Sequence, residues 1–247
     1  MVSLMQRRRE MMQRAASPAG EPNYTITDFT GNGTSSVAVD LGIADPEIII
    51  IYPKTPLTDG VFPNSNNNQR LFILHDTAFD RDFFTNTRSS TSTGYYLYTV
   101  GSARIVYENG ELSTNSTAPF RNNYSYRVVA IKQAASDVTM TTITGNGQGS
   151  ISVELGISNP SILVVYATVP ITSNTFPSAS SQRLLCLADN DISTTRQFYV
   201  NTTTNTGHGD YIRATTSAQL SYQNGTLTVS GSTALRNDYG YKIIAIE

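Results

Sequence analysis

Two stretches decide how this chain reads: GNGTSSVAVDLGIADPEIIIIY at residues 31–52 and GNGQGSISVELGISNPSILVVY at residues 145–166. They lie 114 positions apart, and half of their 22 columns are identical. Self-similarity at a fixed offset marks a structural unit that has been copied. The match runs outward from this block. Phe62-Pro63 pairs with Phe176-Pro177, Gln69-Arg70-Leu71 with Gln182-Arg183-Leu184, and Asp76 with Asp189. Tyr107 and Asn109-Gly110 pair with Tyr222 and Asn224-Gly225, Arg121-Asn122 with Arg236-Asn237, and Ala130-Ile131 with Ala245-Ile246. The offset drifts only between 113 and 115, so the copies differ by short loop insertions. The first copy spans 23–133 and the second 138–247. The linker Gln133–Asp137 is short enough to seat the two close together across a small interface.

Each copy reads as about eight strands. Val37, Val39 and Leu41 alternate with polar residues, the pattern of a half-buried strand. Ile48 to Ile51 is continuously apolar, which places that strand under cover on both faces or at the centre of its sheet. Asn109-Gly110 is a hairpin signal, because a type I′ turn needs positive φ at both central residues. Tyr124, Tyr126, Val128 and Ala130 mark one face of the closing strand. Turn signals every ~8–12 residues without a helical stretch point to sandwiches. The expected fold class is all-β: two tandem β-sandwich domains, jelly-roll-like, preceded by a short N-terminal helix.

That helix is expected over Met1–Ala16, which reads MVSLMQRRREMMQRAA and is rich in helix formers. Leu4 and Met11, like Met5 and Met12, are one heptad apart and would form an apolar stripe, interrupted by Arg8. Arg7-Arg8-Arg9 is followed by Glu10 rather than an apolar run, which argues against a secretory leader. Ser17 to Pro22 then breaks the helix as a linker. Two readings stay open for the segment 1–22: a frayed tail, or an anchoring peptide that orders against another protein through Leu4, Met5, Arg8, Met11 and Met12. Methionine suits the second because it adapts to irregular grooves.

Composition excludes several kinds of work. Lys and Arg number 17 against 19 Asp and Glu, a net charge of -2, so no electrostatic surplus drives binding to nucleic acid or anionic lipid. No apolar run approaches the ~18–20 residues of a membrane helix. One cysteine precludes an intramolecular disulfide, and Cys186 aligns with Ile73 as a small buried hydrophobe. The two histidines, His75 and His208, are not at matched positions: Ala188 stands opposite His75. No nucleophile elbow, zinc-protease helix or phosphate loop is present. Asp76, Asp80 and Asp82, or Asp189-Asn190-Asp191, carry oxygens of the kind calcium takes, but turn carboxylates are common in sandwiches. No enzyme activity, cofactor or metal is expected.

More telling are polar residues matched between copies that differ at half their positions: Arg70 with Arg183, Arg121 with Arg236, and Asp76 with Asp189. They either hold strand ends, an arginine paired with the carboxylate or with loop carbonyls, or serve a function both copies perform. The structural account is preferred. Six Asn-X-Ser/Thr sequons, at Asn23, Asn32, Asn115, Asn123, Asn201 and Asn224, are what Asn- and Thr-rich sequence produces by chance. Tyrosine rings beside Asn, Asp and Thr suit stacking on sugar rings. The polar loops Thr55–Asn68 and Pro170–Ser181 are where recognition residues would sit, with a host-surface glycan as ligand.

The opening Thr-Gly-Asn-Gly turn, the strand ending in Leu41-Gly42, the following Pro46 and Ile-rich strand, and the closing Tyr126-X-X-X-Ala130-Ile131 resemble β-sandwich modules of bacteriophage tail fibres and related virion proteins. The second copy repeats them at Gly145, Gly147, Leu155, Gly156, Pro160, Tyr241, Ala245 and Ile246. The resemblance implies a virion structural protein, a short tail fibre or baseplate appendage at the particle surface. Its N-terminal segment would attach to other virion proteins, and its copies would form a homo-oligomer, a trimer in fibres. Alternatives in the same setting are a capsid decoration or head-fibre protein, and, outside it, a carbohydrate-binding module of a bacterial surface protein.

Overall fold

The computed structural model describes residues 20–54, 70–79, 81–87, 94–100, 105–114, 119–168, 183–192, 196–202, 209–215 and 220–247. The helix expected over Met1–Ala16, with Leu4, Met5, Arg8, Met11 and Met12, lies outside them, as do His208 and the loops Thr55–Asn68 and Pro170–Ser181.

Among the described residues the chain is all-β, and its element order repeats. The first copy contributes β1 (Tyr24–Thr30), β2 (Ser36–Ala38), β3 (Ile48–Pro53), β4 (Arg70–Asp76), β5 (Arg81–Thr87), β6 (Gly94–Val100), β7 (Ile105–Glu108), β8 (Glu111–Thr114) and β9 (Ser125–Ile131). The second contributes β10 (Val138–Thr144), β11 (Ser150–Ser152), β12 (Ile162–Ala167), β13 (Arg183–Asp189), β14 (Arg196–Thr202), β15 (Gly209–Thr215), β16 (Leu220–Gln223), β17 (Thr226–Val229) and β18 (Gly240–Ile246). The Asn-Gly hairpins form as the sequence requires. Asn109 and Gly110 have φ of 52° and 77°, and Asn224 and Gly225 of 49° and 74°, closing β7 on β8 and β16 on β17.

Each copy pairs its strands the same way. A three-stranded sheet runs β2-β8-β7 in the first copy and β11-β17-β16 in the second. The remaining strands join into one antiparallel sheet of order β1-β9-β3-β4-β5-β6-β15-β14-β13-β12-β18-β10. The copies meet inside it at β6 and β15, where Gly94 pairs with Ile212 and Leu97 with Gly209. Gly94 corresponds to Gly209 and Leu97 to Ile212, so exchanging the copies maps the junction onto itself. The halves are therefore related by a pseudo-twofold axis, the arrangement of an isologous dimer, within a single chain.

Side-chain alternation sets the layers. On β3, Ile49 and Ile51 join Val37, Ile105, Leu112, Val128 and Ala130 in one cluster, beneath the three-stranded sheet of the first copy. Ile48, Ile50 and Tyr52 point the other way, with Phe72, Leu74, Val129 and Ile131, into a cluster shared with the second copy's Ile162, Val164, Tyr166, Leu185, Leu187, Ile244 and Ile246. All six residues of β3 and of β12 are buried. The Ile48–Ile51 run is apolar because both its faces are covered, as its sequence anticipates. Cys186 is buried among these apolar strands, also as expected.

On the closing strand Tyr126, Val128 and Ala130 share one face under the small sheet, as expected, and Val129 and Ile131 fill the opposite face, which is buried too. One expectation needs revision. The interface between copies is not a small contact across a linker. It is the central core, because the inner faces of the two half-sheets are both apolar and each covers the other. The copies are consequently not two separate sheets joined by Gln133–Asp137, since one sheet runs through both.

Candidate functional site

Strands β4 and β13 each end in a carboxylate that the core encloses. Asp76 and Asp189 are each 1% exposed. A buried carboxylate is stable only with hydrogen-bonding partners, and here both oxygens have them. Asp76 Oδ1 accepts from the Ala78 backbone N–H and Asp189 Oδ1 from that of Asp191, both at 2.9 Å, closing the turn that follows the strand. The Oδ2 atoms reach into the opposite copy. Tyr52 Oη donates to Asp189 Oδ2 at 2.6 Å, and Tyr166 Oη donates to Asp76 Oδ2. Arg127 Nη1 lies 3.0 Å from Asp189 Oδ2, and Lys242 Nζ lies 2.7 Å from Asp76 Oδ2.

These contacts are reciprocal. Tyr52 and Tyr166 are equivalent residues, as are Arg127 and Lys242, so each copy supplies a tyrosine and a cation to the other's carboxylate. The first-copy cation is further held from outside: Arg127 Nε and Nη2 donate to Asp28 at 2.9 and 3.2 Å, and Lys54 pairs with the same carboxylate. Burial raises the carboxyl pKa of Asp28, but hydrogen bonds from Arg127 and Lys54 outweigh it and hold the group below its ordinary range. Burial also acts to lower the Arg127 pKa, and the Asp28 hydrogen bond with the Asp189 charge reverses that, so the guanidinium stays charged. Tyr52 and Tyr166 are pushed well above the usual phenol value, by burial first and by the adjacent carboxylate second. Both hydroxyls therefore keep their protons and donate.

The matched arginines sit elsewhere. Arg121 and Arg236 lie over the rings of Tyr124 and Tyr239, 4.3 and 4.1 Å from the centroids, a cation–π contact. Their backbone N–H groups donate at 2.9 Å to the hydroxyls of Tyr126 and Tyr241, whose pKa burial pushes up to about 12. The Arg121 and Arg236 carbonyls face Gly31 and Gly145, where a Cβ would come within 2.3 and 2.1 Å. That close approach explains the glycine that opens each Gly-Asn-Gly turn. Arg70 and Arg183 begin β4 and β13, with Asn86 and Asn201 opposite them; their side chains lie outside the described residues. Across the copies, Asp76 thus pairs with Lys242 and Asp189 with Arg127.

Sequence reasoning missed Tyr52, Tyr166, Arg127 and Lys242. Their signal was present: both cations interrupt an otherwise apolar strand at equivalent positions, in Tyr126-Arg127-Val128-Val129 and Tyr241-Lys242-Ile243-Ile244.

The surface carries a second duplicated feature. A cleft of about 560 Å³ lies between the Leu41-Gly42 turn and the Asn109-Gly110 hairpin, and its counterpart of about 440 Å³ lies between Leu155-Gly156 and Asn224-Gly225. Their linings correspond residue by residue. Two corresponding pairs are tied to the backbone: the Tyr107 and Tyr222 hydroxyls accept from the Leu41 and Leu155 N–H, and the Asp40 and Glu154 carboxylates accept from the Gly42 and Gly156 N–H. The clefts differ in charge. Asp45 and Glu108 of the first are replaced by the near-isosteric amides Asn159 and Gln223 in the second. No Lys or Arg is among the described lining residues, so hydroxyl-bearing neutral groups suit both better than anions. Among the described residues no group of three or more metal-ligating side chains is placed to hold an ion, and no helix is long and apolar enough to cross a membrane.

No family model, no curated protein and no solved structure matches this chain.

Proposed function

We propose that this chain is a structural component of a bacteriophage virion, a short tail fibre or baseplate appendage that holds a rigid duplicated β body out from the particle surface. In this reading each copy is a jelly-roll-like sandwich of its half-sheet on its three-stranded sheet. Residues 1–22 form the anchoring helix and linker, with Leu4, Met5, Arg8, Met11 and Met12 against other virion proteins. The observation that carries it is the reciprocal lock of Tyr52, Arg127 and Asp189 with Tyr166, Lys242 and Asp76. Among the described residues, the four buried charged side chains Asp76, Arg127, Asp189 and Lys242 all join the two copies into one body, as a load-carrying appendage needs. The reading assigns no catalysis and no cofactor. It is reinforced by the sequence resemblance to tail-fibre modules, which also implies self-association.

The twin clefts are the surfaces for host glycan in this reading. Amide and carboxylate oxygens beside a tyrosine, half-buried in the first cleft and buried in the second, suit the hydroxyls of a neutral sugar. The test is deletion of residues 1–20. The truncated chain is expected to fold and to be missing from particles; normal incorporation overturns the anchor. Density for the intact chain on the head instead of the tail would move the assignment to a capsid decoration protein.

A further inference from the structure

The pseudo-twofold axis consumes one pair of sheet edges, β6 and β15, and leaves β1 and β10 at the two ends of the sheet order. Alternate residues of an antiparallel strand direct their N–H and C=O groups to opposite sides. The Gly145 N–H donates to Tyr239 O and the Glu247 N–H to Asp137 O, in register with the β10–β18 ladder, so the odd-numbered residues of β10 bond to β18. The even-numbered ones point away. Those of Val138 are used by Ala135, at 2.9 and 3.3 Å. Met140, Thr142 and Thr144 present theirs along the open edge. The same argument on β1 leaves Ile26, Asp28 and Thr30 pointing outward.

Natural sheet edges are guarded by charge, proline or a bulge. Strand β10 has none of these: it reads Val-Thr-Met-Thr-Thr-Ile-Thr, and all seven residues pair with β18 without a shift in register. Strand β1 is the less open of the two. It carries Asp28 in the middle of its outward set, with Arg127 and Lys54 gathered on that carboxylate, so two β1 edges brought together would crowd two charged clusters.

Beyond the functional reading, and without depending on it, we propose that β10 is an interface to a second copy of this chain. The two β10 strands pair antiparallel across a twofold axis at Thr142. Met140 then faces the partner's Thr144, and each exchange completes backbone hydrogen bonds that neither chain makes alone. The contact continues the twelve-stranded sheet into the second molecule through the kind of joint β6 and β15 already make within one chain. Isologous pairing closes at two copies; a three-copy ring would instead need β1 of one chain against β10 of the next.

The test is light scattering on the full chain after size exclusion, across about 1–200 μM, a range chosen because a joint of this size is expected to be weak. Thr142→Pro removes an N–H that points outward and leaves the ladder to β18 intact. The unaltered chain is expected to dimerise, and Thr142→Pro to weaken the dimer at least about tenfold with little change in unfolding midpoint. Thr30→Pro, which likewise removes an outward N–H but on β1, is expected to leave the dimer intact. If Thr142→Pro does not fold, Thr142→Lys places like charges across the axis and is expected to give monomers. A monomeric parent chain, a three-chain mass, dimers that survive both Thr142 variants, or dissociation by Thr30→Pro overturns the proposal.

Discussion

Replacing Asp189 by alanine should be among the most damaging single changes in this protein, although Asp189 lies at the end of a strand. The substitution deletes the acceptor for Tyr52 Oη at 2.6 Å and for Arg127 Nη1 at 3.0 Å, and it also frees the Asp191 N–H. Removing one partner of a buried ion pair costs about 3–5 kcal/mol, because the other charge stays buried without compensation. Arg127 retains Asp28, which moderates the loss toward the lower end of that range. For a body of this size, each kcal/mol lowers Tm by about 2–4 °C, so Asp189→Ala should shift it by about 6–20 °C. Asp189→Asn keeps the shape and one acceptor, and should cost about 1.5–3 kcal/mol. Urea unfolding followed by circular dichroism gives both values. A double-mutant cycle with Tyr52→Phe then asks whether the loss crosses between copies. The expected coupling is about 0.5–3 kcal/mol. A loss below about 1 kcal/mol for Asp189→Ala, or additivity with Tyr52→Phe, would refute the reasoning.

Among the described residues, the deeply buried Tyr52, Tyr126, Tyr166 and Tyr241 have folded-state pKa values raised, with burial the largest cause. Their contribution to stability is complete below the unfolded value near ~10 and is lost as pH rises beyond it; ultraviolet titration should show these four ionising only as the chain unfolds. Asp28 behaves in the opposite sense: its depressed pKa stabilises the fold above the unfolded value of ~4, and that share is lost as pH falls further. An Asp28→Asn variant should therefore show a shallower loss of stability in acid, measured by urea midpoints from pH 5 to about 2. Gly145→Ala drives a Cβ to within 2.1 Å of the Arg236 carbonyl and should cost at least about 1–3 kcal/mol by the same urea assay.

Much of the architecture was legible because it is written locally and then repeated. The offset of 114 exposes the duplication, the Ile48–Ile51 run announces a strand covered on both faces, and Asn109-Gly110 fixes a hairpin through backbone sterics alone. Cys186 could be placed in the core by its alignment with Ile73. The lock was not legible, for a physical reason. The cross-copy partners of Asp76 and Asp189 lie about 60 to 170 positions away along the chain, beyond any local pattern. Matched arginines drew attention because they are identical, whereas Arg127 and Lys242 match only in charge. Arg127 stands on the inner face of the closing strand, where its charge masks in the sequence a second buried face that it joins to the other copy.

The central claim is that the two copies form one interlocked body. It is tested most directly by inserting a protease site within Gln133–Asp137, cutting it in the folded protein, and following the product by calorimetry and native mass. The account expects the cut halves to stay together at the mass of one intact chain and to unfold in a single transition. Halves that separate and melt independently would contradict it.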